Sequence, residues 1–246
     1  MTSVEKPALA WTDYAAVLFD LDGVITPTAE VHMRAWEVMF NGYLARRPEG
    51  QRPYTEADYF AYVDGKPRYD GVRDFLASRG IDVPHGTPAD DPGRETVCGL
   101  GNRKNTAFNE VLARDGVTAY PGSLALLDHL ASIRMPLAVV SSSANAPAVL
   151  AAAGLTDRFL TVVDGRVATE LGLPGKPSPD TFLHAAEAVG ATAATSVVVE
   201  DAVSGVRAGA AGSFGLVIGV DRGAGVETLV AAGADLVVAD LQELLP

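Results

Sequence analysis

Short apolar runs alternate with longer stretches of helical periodicity over most of the chain. The first apolar run covers 17–19, and the later ones cover 137–141, 160–163, 196–200, 214–220 and 235–239. Runs of this length, bounded by turn residues, are typical of buried parallel strands. The stretches between them predict helices, among them 123–132, 146–153, 179–189 and 203–211. This alternation predicts an α/β fold with a doubly wound parallel sheet.

One long segment, 28–115, breaks the alternation because it has helical patterns and loops but no buried strand. It predicts an inserted all-helical cap domain, called the cap segment below, between two parts of a core, 1–27 and 116–246. Within it we expect helices over 29–43, 55–62, 67–78 and 94–114, and a mobile loop over 83–93 that is rich in proline, glycine and aspartate. Both connections lie near the first strand end, where a lid would be hinged.

Composition restricts the classes of partner. The chain has 246 residues, of which 48% are hydrophobic, and its formal net charge of -12 argues against a nucleic-acid partner. No apolar run approaches the roughly 20 residues needed to span a bilayer, so we expect no membrane partner. The lone Cys98 cannot form an internal disulfide, and 1–11 resembles a short tail without a signal-peptide core. These features predict a cytoplasmic protein, which we expect to be a monomer.

Two carboxylates, Asp20 and Asp22, follow the first predicted strand directly, with Gly23 after them. Ligands of open α/β sheets bind beyond the carboxyl ends of the strands, and a tight turn at Gly23 would bring both side chains to one ligand. Beside a divalent ion, Asp20 can attack phosphorus, and Asp22 can serve as general acid and base. A plain turn or a calcium loop is the alternative, although EF-hand spacing does not place glycine directly after the second aspartate.

Three other strand ends supply groups that a phosphoryl site needs. The run 141–145, with Ser141, offers hydroxyls and amides for phosphate, although serines also occur in ordinary turns. Lys176 can bridge Asp20 and phosphate unless it is a solvated loop lysine, and Ser178 is expected to cap the next helix. Glu200 and Asp201, with Asp20 and the carbonyl of Asp22, are expected to bind Mg²⁺.

These motifs, in their order along the chain, resemble those of the haloacid dehalogenase-like phosphatase superfamily. The matching residues are Asp20, Asp22 and Gly23, then Ser141, then Lys176, then Glu200 and Asp201. The dehalogenases of that superfamily lack the second aspartate, so the resemblance implies a phosphotransferase with a Rossmann-like core. Within the superfamily the chain is similar to the β-phosphoglucomutases, which interconvert β-glucose 1-phosphate and glucose 6-phosphate. That resemblance implies Mg²⁺ as cofactor and glucose 1,6-bisphosphate as priming intermediate.

The resemblance also implies which residues bind a sugar phosphate. Arg68 matches the arginine for a distal phosphate, and Lys104 matches a cap lysine near the sugar. His32 shares a helix face with Trp36 and is expected to couple cap closure to Asp22, although core packing is the alternative for both. The implied substrate-binding residues are Thr28, His32, Trp36, Gly65, Arg68, Lys104, Ser141, Ser142, Ser143 and Asn145.

Departures from the family pattern leave the sugar open. Pro27 replaces an acidic residue, Ala144 stands where a lysine contacts substrate, and the cap insertion over 70–101 is long. Three functions remain, since the aspartate pair is common to the first two: a mutase, a sugar-phosphate phosphatase in which water attacks the aspartyl-phosphate, and a non-catalytic sugar-phosphate sensor.

Overall fold

The computed structural model describes residues 9–47 and 50–246. The expected tail over 1–11 lies mostly outside these residues, and for Trp11 the expectation is wrong. Trp11 is buried at the start of a short 3-10 turn, and its indole nitrogen donates a hydrogen bond to the carbonyl oxygen of Leu244 at 3.2 Å. This bond ties the beginning of the described chain to its end.

Six parallel strands form one sheet in the order β3-β2-β1-β4-β5-β6. They are β1 (Ala16–Phe19), β2 (Leu137–Val140), β3 (Thr161–Val163), β4 (Ser196–Glu200), β5 (Leu216–Val220) and β6 (Leu236–Val238). All six were predicted, which confirms the doubly wound α/β fold. In the register, Phe19 lies opposite Val139 on one side and Val199 on the other. The order reverses between β1 and β4, so a crevice forms where these strands end.

Ten α-helices accompany the strands in the described chain, and eight of them match the predicted segments. They are α1 (Thr28–Leu44), α2 (Glu56–Tyr62), α3 (Arg68–Ser78), α4 (Val97–Asp115), α5 (Pro121–Ser132), α6 (Ala146–Ala152), α7 (Gly165–Leu171), α8 (Asp180–Ala188), α9 (Val203–Ala211) and α10 (Val226–Ala232). The sequence did not predict α7 and α10, which span only two turns. α7 has no buried residue, so it lacks the apolar periodicity on which prediction depends.

Helix starts show one wrong prediction and its cause. Ser178 does not cap α8, because the helix begins at Asp180 and the Ser178 hydroxyl instead donates to the Asp180 carboxylate. Asp164 provides the start of the unpredicted α7, since its carboxylate accepts hydrogen bonds from the amides of Arg166 and Val167 at 2.9 and 2.8 Å.

Side-chain alternation along β1 places apolar groups on both faces of the sheet. Val17 and Phe19 pack on one face with residues of α5 and α6, whereas Ala16 and Leu18 pack on the other with α8, α9 and α10. Both faces are therefore covered by helices, as expected for strands that read as continuous apolar runs.

Helices α1 to α4 of the cap segment pack around an apolar cluster of their own. The ring centroids of Phe40 and Phe75 are 4.2 Å apart, and Tyr54 lies 4.9 Å from each ring. A separate cluster is what an independent domain would need. The division into 28–115 and the two core parts stays our prediction.

The irregular loop over 83–93 is bonded to α4. The Asn102 amide donates hydrogen bonds to the carbonyl oxygens of Pro88 and Asp90, and the Arg103 guanidinium donates to that of Pro92. None of the helices in the described residues has both the length and the hydrophobicity to cross a bilayer.

We expect Phe75→Ala to lower the free energy of unfolding by about 3–5 kcal/mol, because it leaves a cavity among the packed rings of the cap segment. Urea denaturation followed by circular dichroism measures the change. Val38→Ala is the control, since Val38 is 62% exposed on α1 and should change stability by less than about 0.5 kcal/mol. Equal effects of the two substitutions would contradict the packing described here.

Candidate active site

The carboxyl ends of β1, β2 and β4 open into a cavity of about 610 Å³ between the sheet and the cap segment. Most of the sequence-predicted site residues line it, from both sides. They are Asp20, Asp22, His32, Trp36, Gly65, Arg68, Lys104, Ser141, Ser142, Ser143, Glu200 and Asp201. Thr28, Asn145 and Lys176 do not line it, but each hydrogen-bonds a residue that does.

A tight turn follows β1 and sets the direction of both aspartates. The amides of Ile25 and Thr26 donate to the Leu21 carbonyl oxygen at 2.9 and 3.0 Å, and the Gly23 amide donates to that of Thr26 at 2.7 Å. Gly23 has φ +89°, and a Cβ there would lie 1.9 Å from Asp201 Oδ2. Glycine is therefore needed both for the backbone conformation and for the approach of Asp201.

Lys176 lies beneath the cavity and joins two of the carboxylates. Its Nζ is 2.5 Å from Asp20 Oδ1, 2.5 Å from Glu200 Oε1 and 2.9 Å from the carbonyl oxygen of Val140. Lys176 is 3% exposed, and burial alone would lower its pKa. Asp20 and Glu200 instead raise the pKa of Lys176, so the ammonium stays charged.

Asp20, Glu200 and Asp201 form an acidic cluster whose ligand oxygens lie within 4.8 Å of one another. Glu200 Oε2 accepts hydrogen bonds from the amides of Asp201 and Ala202 at 3.0 and 3.1 Å, which fixes its orientation. Gly205 makes room for this carboxylate, since a Cβ there would be 1.7 Å from Glu200 Oε1.

The chemistry of the acidic cluster fits Mg²⁺. Burial raises the pKa of Asp20 well above its usual range in spite of Lys176, and burial with neighbouring carboxylates raises that of Asp201. One ammonium thus faces three carboxylates, and a hard divalent cation with oxygen ligands would balance them. Asp20, Asp201 and Glu200 could hold it. The Asp22 side chain points to other partners, and its main-chain carbonyl remains the predicted ligand.

Asp22 is held by residues from both the cap segment and the core. Its Oδ1 accepts from the Thr28 hydroxyl and lies 3.4 Å from His32 Nε2, while its Oδ2 accepts from Ser141 Oγ at 3.3 Å. Burial would raise the pKa of Asp22, but His32 and Thr28 lower it to about 2. The carboxylate is therefore ionised at neutral pH and can accept a proton.

A buried lysine of α4 contacts the far side of the same histidine. Lys104 Nζ contacts His32 Nδ1 and lies 5.0 Å from the Trp36 ring centroid. Burial lowers the pKa of Lys104 to about 7, and burial together with Lys104 lowers that of His32. A neutral His32 that accepts at Nδ1 carries its proton on Nε2, which faces Asp22. The cap segment thus carries a chain of polar groups that ends at Asp22.

The serine run after β2 has three separate partners. Ser141 faces Asp22, Ser142 Oγ donates to the Gly65 carbonyl oxygen at 2.7 Å, and Ser143 Oγ accepts from the amide of Asn145 at 3.2 Å. The side-chain amide of Asn145 donates from Nδ2 to Asn105 Oδ1 at 2.7 Å. Two of these contacts, to Gly65 and Asn105, join the core to the cap segment.

Arg68 and Trp36 complete the cavity wall on the cap side. Arg68 begins α3, its guanidinium carbon lies 4.9 Å from the Tyr69 ring centroid, and it donates to the Tyr69 hydroxyl at 3.2 Å. Its buried Nε has no hydrogen-bond partner among the described residues. Trp36 stacks on Phe40, with ring centroids 5.3 Å apart, and so also belongs to the apolar cluster of the cap segment.

Sequence reasoning missed three residues at this site, Asp64, Ser204 and Arg222. Tyr59 hydrogen-bonds the Asp64 carboxylate, and Ser204 Oγ donates to the Asp64 carbonyl oxygen at 3.0 Å. Burial raises the pKa of Asp64 to about 7. Arg222 donates from Nε to the Gly23 carbonyl oxygen at 2.8 Å. The position of Asp64 directly before the recognised Gly65 was the one available signal.

Comparison with known proteins indicates the same family as the motif residues of the site. The model of the haloacid dehalogenase-like hydrolase family matches residues 14–212. The chain belongs to this family. Among curated relatives, a β-phosphoglucomutase of Mycobacterium bovis is 51% identical over 94% of this chain and 91% of its own length.

One further curated relative and one solved structure are also similar to this chain. Hexitol phosphatase A of Escherichia coli is 33% identical over 79% of this chain and 77% of its own length. A crystal structure of β-phosphoglucomutase from Clostridium difficile superposes with a TM-score of 0.77 at 23% identity, covering 94% of this chain and 93% of that one. The structural likeness shows the fold that these family members share.

We expect Gly23→Ala to weaken Mg²⁺ binding strongly, because the added Cβ displaces Asp201 from the acidic cluster. Isothermal titration with Mg²⁺ and thermal unfolding measure the two consequences, lost affinity and backbone strain. Gly154→Ala is the matched control, since Gly154 has φ +69° but a Cβ there would meet nothing within 4 Å. Unchanged Mg²⁺ affinity in Gly23→Ala would contradict the close approach.

The low pKa of Lys104 makes stability depend on pH. Between about pH 7 and its unfolded pKa of about 10.4, the unfolded chain keeps a proton that the folded chain has lost. The free energy of unfolding should therefore gain a contribution that rises with pH across this window, and Lys104→Met should remove it. Urea denaturation from pH 7 to 9.5 measures the difference. Lys66→Met is the control, and curves for Lys104→Met that run parallel to the wild type would refute the shift.

Proposed function

We propose that this chain is a Mg²⁺-dependent phosphotransferase of sugar phosphates that works as a β-phosphoglucomutase. It would convert β-glucose 1-phosphate to glucose 6-phosphate through glucose 1,6-bisphosphate, with an aspartyl-phosphate on Asp20. One observation carries this proposal. Asp20 sits in the acidic cluster against Lys176, while Asp22, two residues away, is bound by His32 and Thr28 of the cap segment.

Asp20 would act as nucleophile. A carboxylate oxygen attacks the phosphorus of the bisphosphate, the bond from phosphorus to the sugar oxygen breaks, and that oxygen receives the proton that Asp22 took from a sugar hydroxyl in the other half-reaction. In the return step a hydroxyl of the sugar monophosphate attacks the phosphorus on Asp20. Asp22 takes the proton of that hydroxyl, and the bond from phosphorus to Asp20 breaks.

The surrounding residues support both steps. Lys176 orients Asp20 and keeps a positive charge beside the transferring group. Mg²⁺, held by Asp20, Asp201 and Glu200, would offset the charge that gathers on the phosphoryl oxygens. Ser141 Oγ donates to Asp22 at 3.3 Å and accepts from the Ser143 amide at 3.1 Å, which places this hydroxyl beside the reacting groups.

Control of Asp22 by the cap segment favours transfer to a sugar over transfer to water. Thr28 and His32 fix the carboxylate, and Lys104 contacts the other side of His32, so the base is assembled only when the cap segment lies against the core. Arg68 supplies a cation for a second phosphate in the same cavity. The mycobacterial relative named a β-phosphoglucomutase supports the same reading.

A sugar-phosphate phosphatase is the second candidate, with water as the final acceptor. It is favoured by Ala144, which leaves the serine run without the lysine that contacts substrate in the family pattern, and by the relative named hexitol phosphatase A. The same Asp20 and Asp22 would serve, because Asp22 could deprotonate water as readily as a sugar hydroxyl. A non-catalytic sensor is the remote third candidate.

We further propose a cytoplasmic location, in keeping with a single cysteine, and a monomeric protein that takes a small sugar phosphate as substrate. The resemblance to bacterial relatives supports the location, and the cavity of about 610 Å³ has room for a hexose bisphosphate.

Incubation with β-glucose 1-phosphate, Mg²⁺ and a trace of glucose 1,6-bisphosphate should yield glucose 6-phosphate, because Asp20 passes the phosphoryl group between sugars. A coupled dehydrogenase assay measures this product, and a phosphate-release assay runs on the same sample. Asp20→Asn should reduce turnover by several orders of magnitude. Asp13→Asn is the matched control, since Asp13 is exposed and lies before β1.

Release of inorganic phosphate alone, with no dependence on the bisphosphate, would replace the mutase by the phosphatase. Arg68→Ala separates the two further, since it should raise the KM for bisphosphate in a mutase and leave hydrolysis of monophosphates intact in a phosphatase. Binding of sugar phosphate without any turnover would favour the non-catalytic sensor over both enzymes.

A further inference from the structure

The cap segment touches the core through two consecutive carbonyl groups. Ser204 Oγ donates to the carbonyl oxygen of Asp64 at 3.0 Å, and Ser142 Oγ donates to that of Gly65 at 2.7 Å. One serine follows β4 and the other follows β2, so the two bonds come from both sides of β1. They hold the backbone at Asp64 and Gly65 against the mouth of the crevice.

Gly65 allows this contact to be close. Its φ is +67°, and a Cβ there would lie 2.2 Å from Ser204 Oγ and 2.8 Å from Ala202 Cβ. At Gly65 the backbone of the cap segment therefore lies directly against the residues that follow Glu200 and Asp201, with no room for a side chain between them. Asp64, the preceding residue, lines the cavity as a result of this close contact.

Docking in this way adds a further carboxylate, from the cap side, to the cavity that Asp20, Glu200 and Asp201 line. The Asp64 side chain is hydrogen-bonded by Tyr59 and by the amide of Gly65, and its charge acts on Asp201 and Glu200. The compensating charge beside it is that of Lys176, which is already paired with Asp20 and Glu200. The mechanism proposed above uses no carboxylate at this position.

Whether the charge of Asp64 is repelled by the acidic cluster thus depends on whether a cation is bound there. With the acidic cluster empty, Asp64 meets carboxylates of its own sign in a site that is shielded from water, which disfavours docking. With a divalent cation in the acidic cluster, the charges of the ion and of Lys176 balance the three carboxylates, so the repulsion is removed and Asp64 can accept hydrogen bonds from the hydration shell that Mg²⁺ usually keeps. Docking is then favoured.

We propose that Asp64 is a positioning residue that couples divalent-cation binding in the acidic cluster to closure of the cap segment on the core. The coupling rests on the cation site of the proposed function and not on the identity of the sugar or of the phosphoryl acceptor. It is reciprocal, so the closed form binds the cation more tightly, and the cation closes the cap before any substrate arrives. Asp22, which needs Thr28 and His32 in place, would then be assembled only in the cation-loaded protein.

Closure can be measured without substrate by double electron–electron resonance. Spin labels on Val38→Cys and Val230→Cys report the distance from α1 to α10, because both side chains are exposed whereas the native Cys98 is buried. Addition of MgCl₂ to the wild-type background should shift the distance distribution toward the closed form. In Asp64→Asn the closed form should already be more populated without Mg²⁺, and the shift on addition should be largely lost.

Isothermal titration with MgCl₂ alone provides the second readout. Asp64→Asn should weaken Mg²⁺ binding on the order of tenfold, which is within the usual range of such couplings. Asp64→Glu keeps the charge and should restore both the affinity and the shift. Asp82→Asn is the matched control, since it removes the same charge from an exposed position of the cap segment and should change neither readout.

Two outcomes would overturn the proposal. One is an Mg²⁺-induced shift in Asp64→Asn as large as in the wild type, and the other is a wild-type distribution that Mg²⁺ leaves unchanged. If Asp64→Asn does not fold, Asp64→Glu and the wild type still decide it, because loss of the shift in the charge-preserving variant contradicts a role of the charge. Failure of the mutase or phosphatase assay would leave these readouts unaffected, whereas absence of Mg²⁺ binding in the wild type would overturn the cation site itself.

Discussion

The buried ammonium of Lys176 is the interaction on which the site depends. It lies 2.5 Å from both Asp20 and Glu200, at positions where two carboxylates would otherwise repel each other away from water. Removing such a partner leaves a buried charge uncompensated, at a cost of several kcal/mol. Because Asp20 follows β1 and Glu200 ends β4, the lysine also holds together the two strand ends between which the sheet reverses its order.

The core and the cap segment supply different groups to the site. The core holds the acidic cluster of Asp20, Glu200 and Asp201 at the strand ends, where the proposed function places the phosphoryl group and the cation. The cap segment holds His32 and Thr28, which both contact Asp22, the residue that transfers the proton in the proposed function. Chemistry that needs both sets can proceed only when the two parts of the chain are together, which is how a closing lid protects a reactive phosphoryl group from water.

Prediction from the sequence worked where a local pattern carried the information. All six strands were found because buried parallel strands are short apolar runs, and the motif residues other than Lys176 were found because they lie at the ends of those runs. It failed for α7, whose polar surface position gives no periodicity, and for Ser178, whose hydroxyl bonds Asp180 rather than a helix amide. The domain boundaries and the roles of the site residues stay predictions.

The sequence by itself determined the parallel sheet, the family, and the presence of two aspartates, a lysine and two further acids in the order of the family motifs, because each strand and each motif is a short local run of residues. Only the tertiary structure decided that Ser141 donates to the Asp22 carboxylate, and that Asp64 of the cap segment lines the same cavity as Asp201. Those contacts join residues far apart in the chain, and their energies arise from burial and charge in a cavity that exists only after folding.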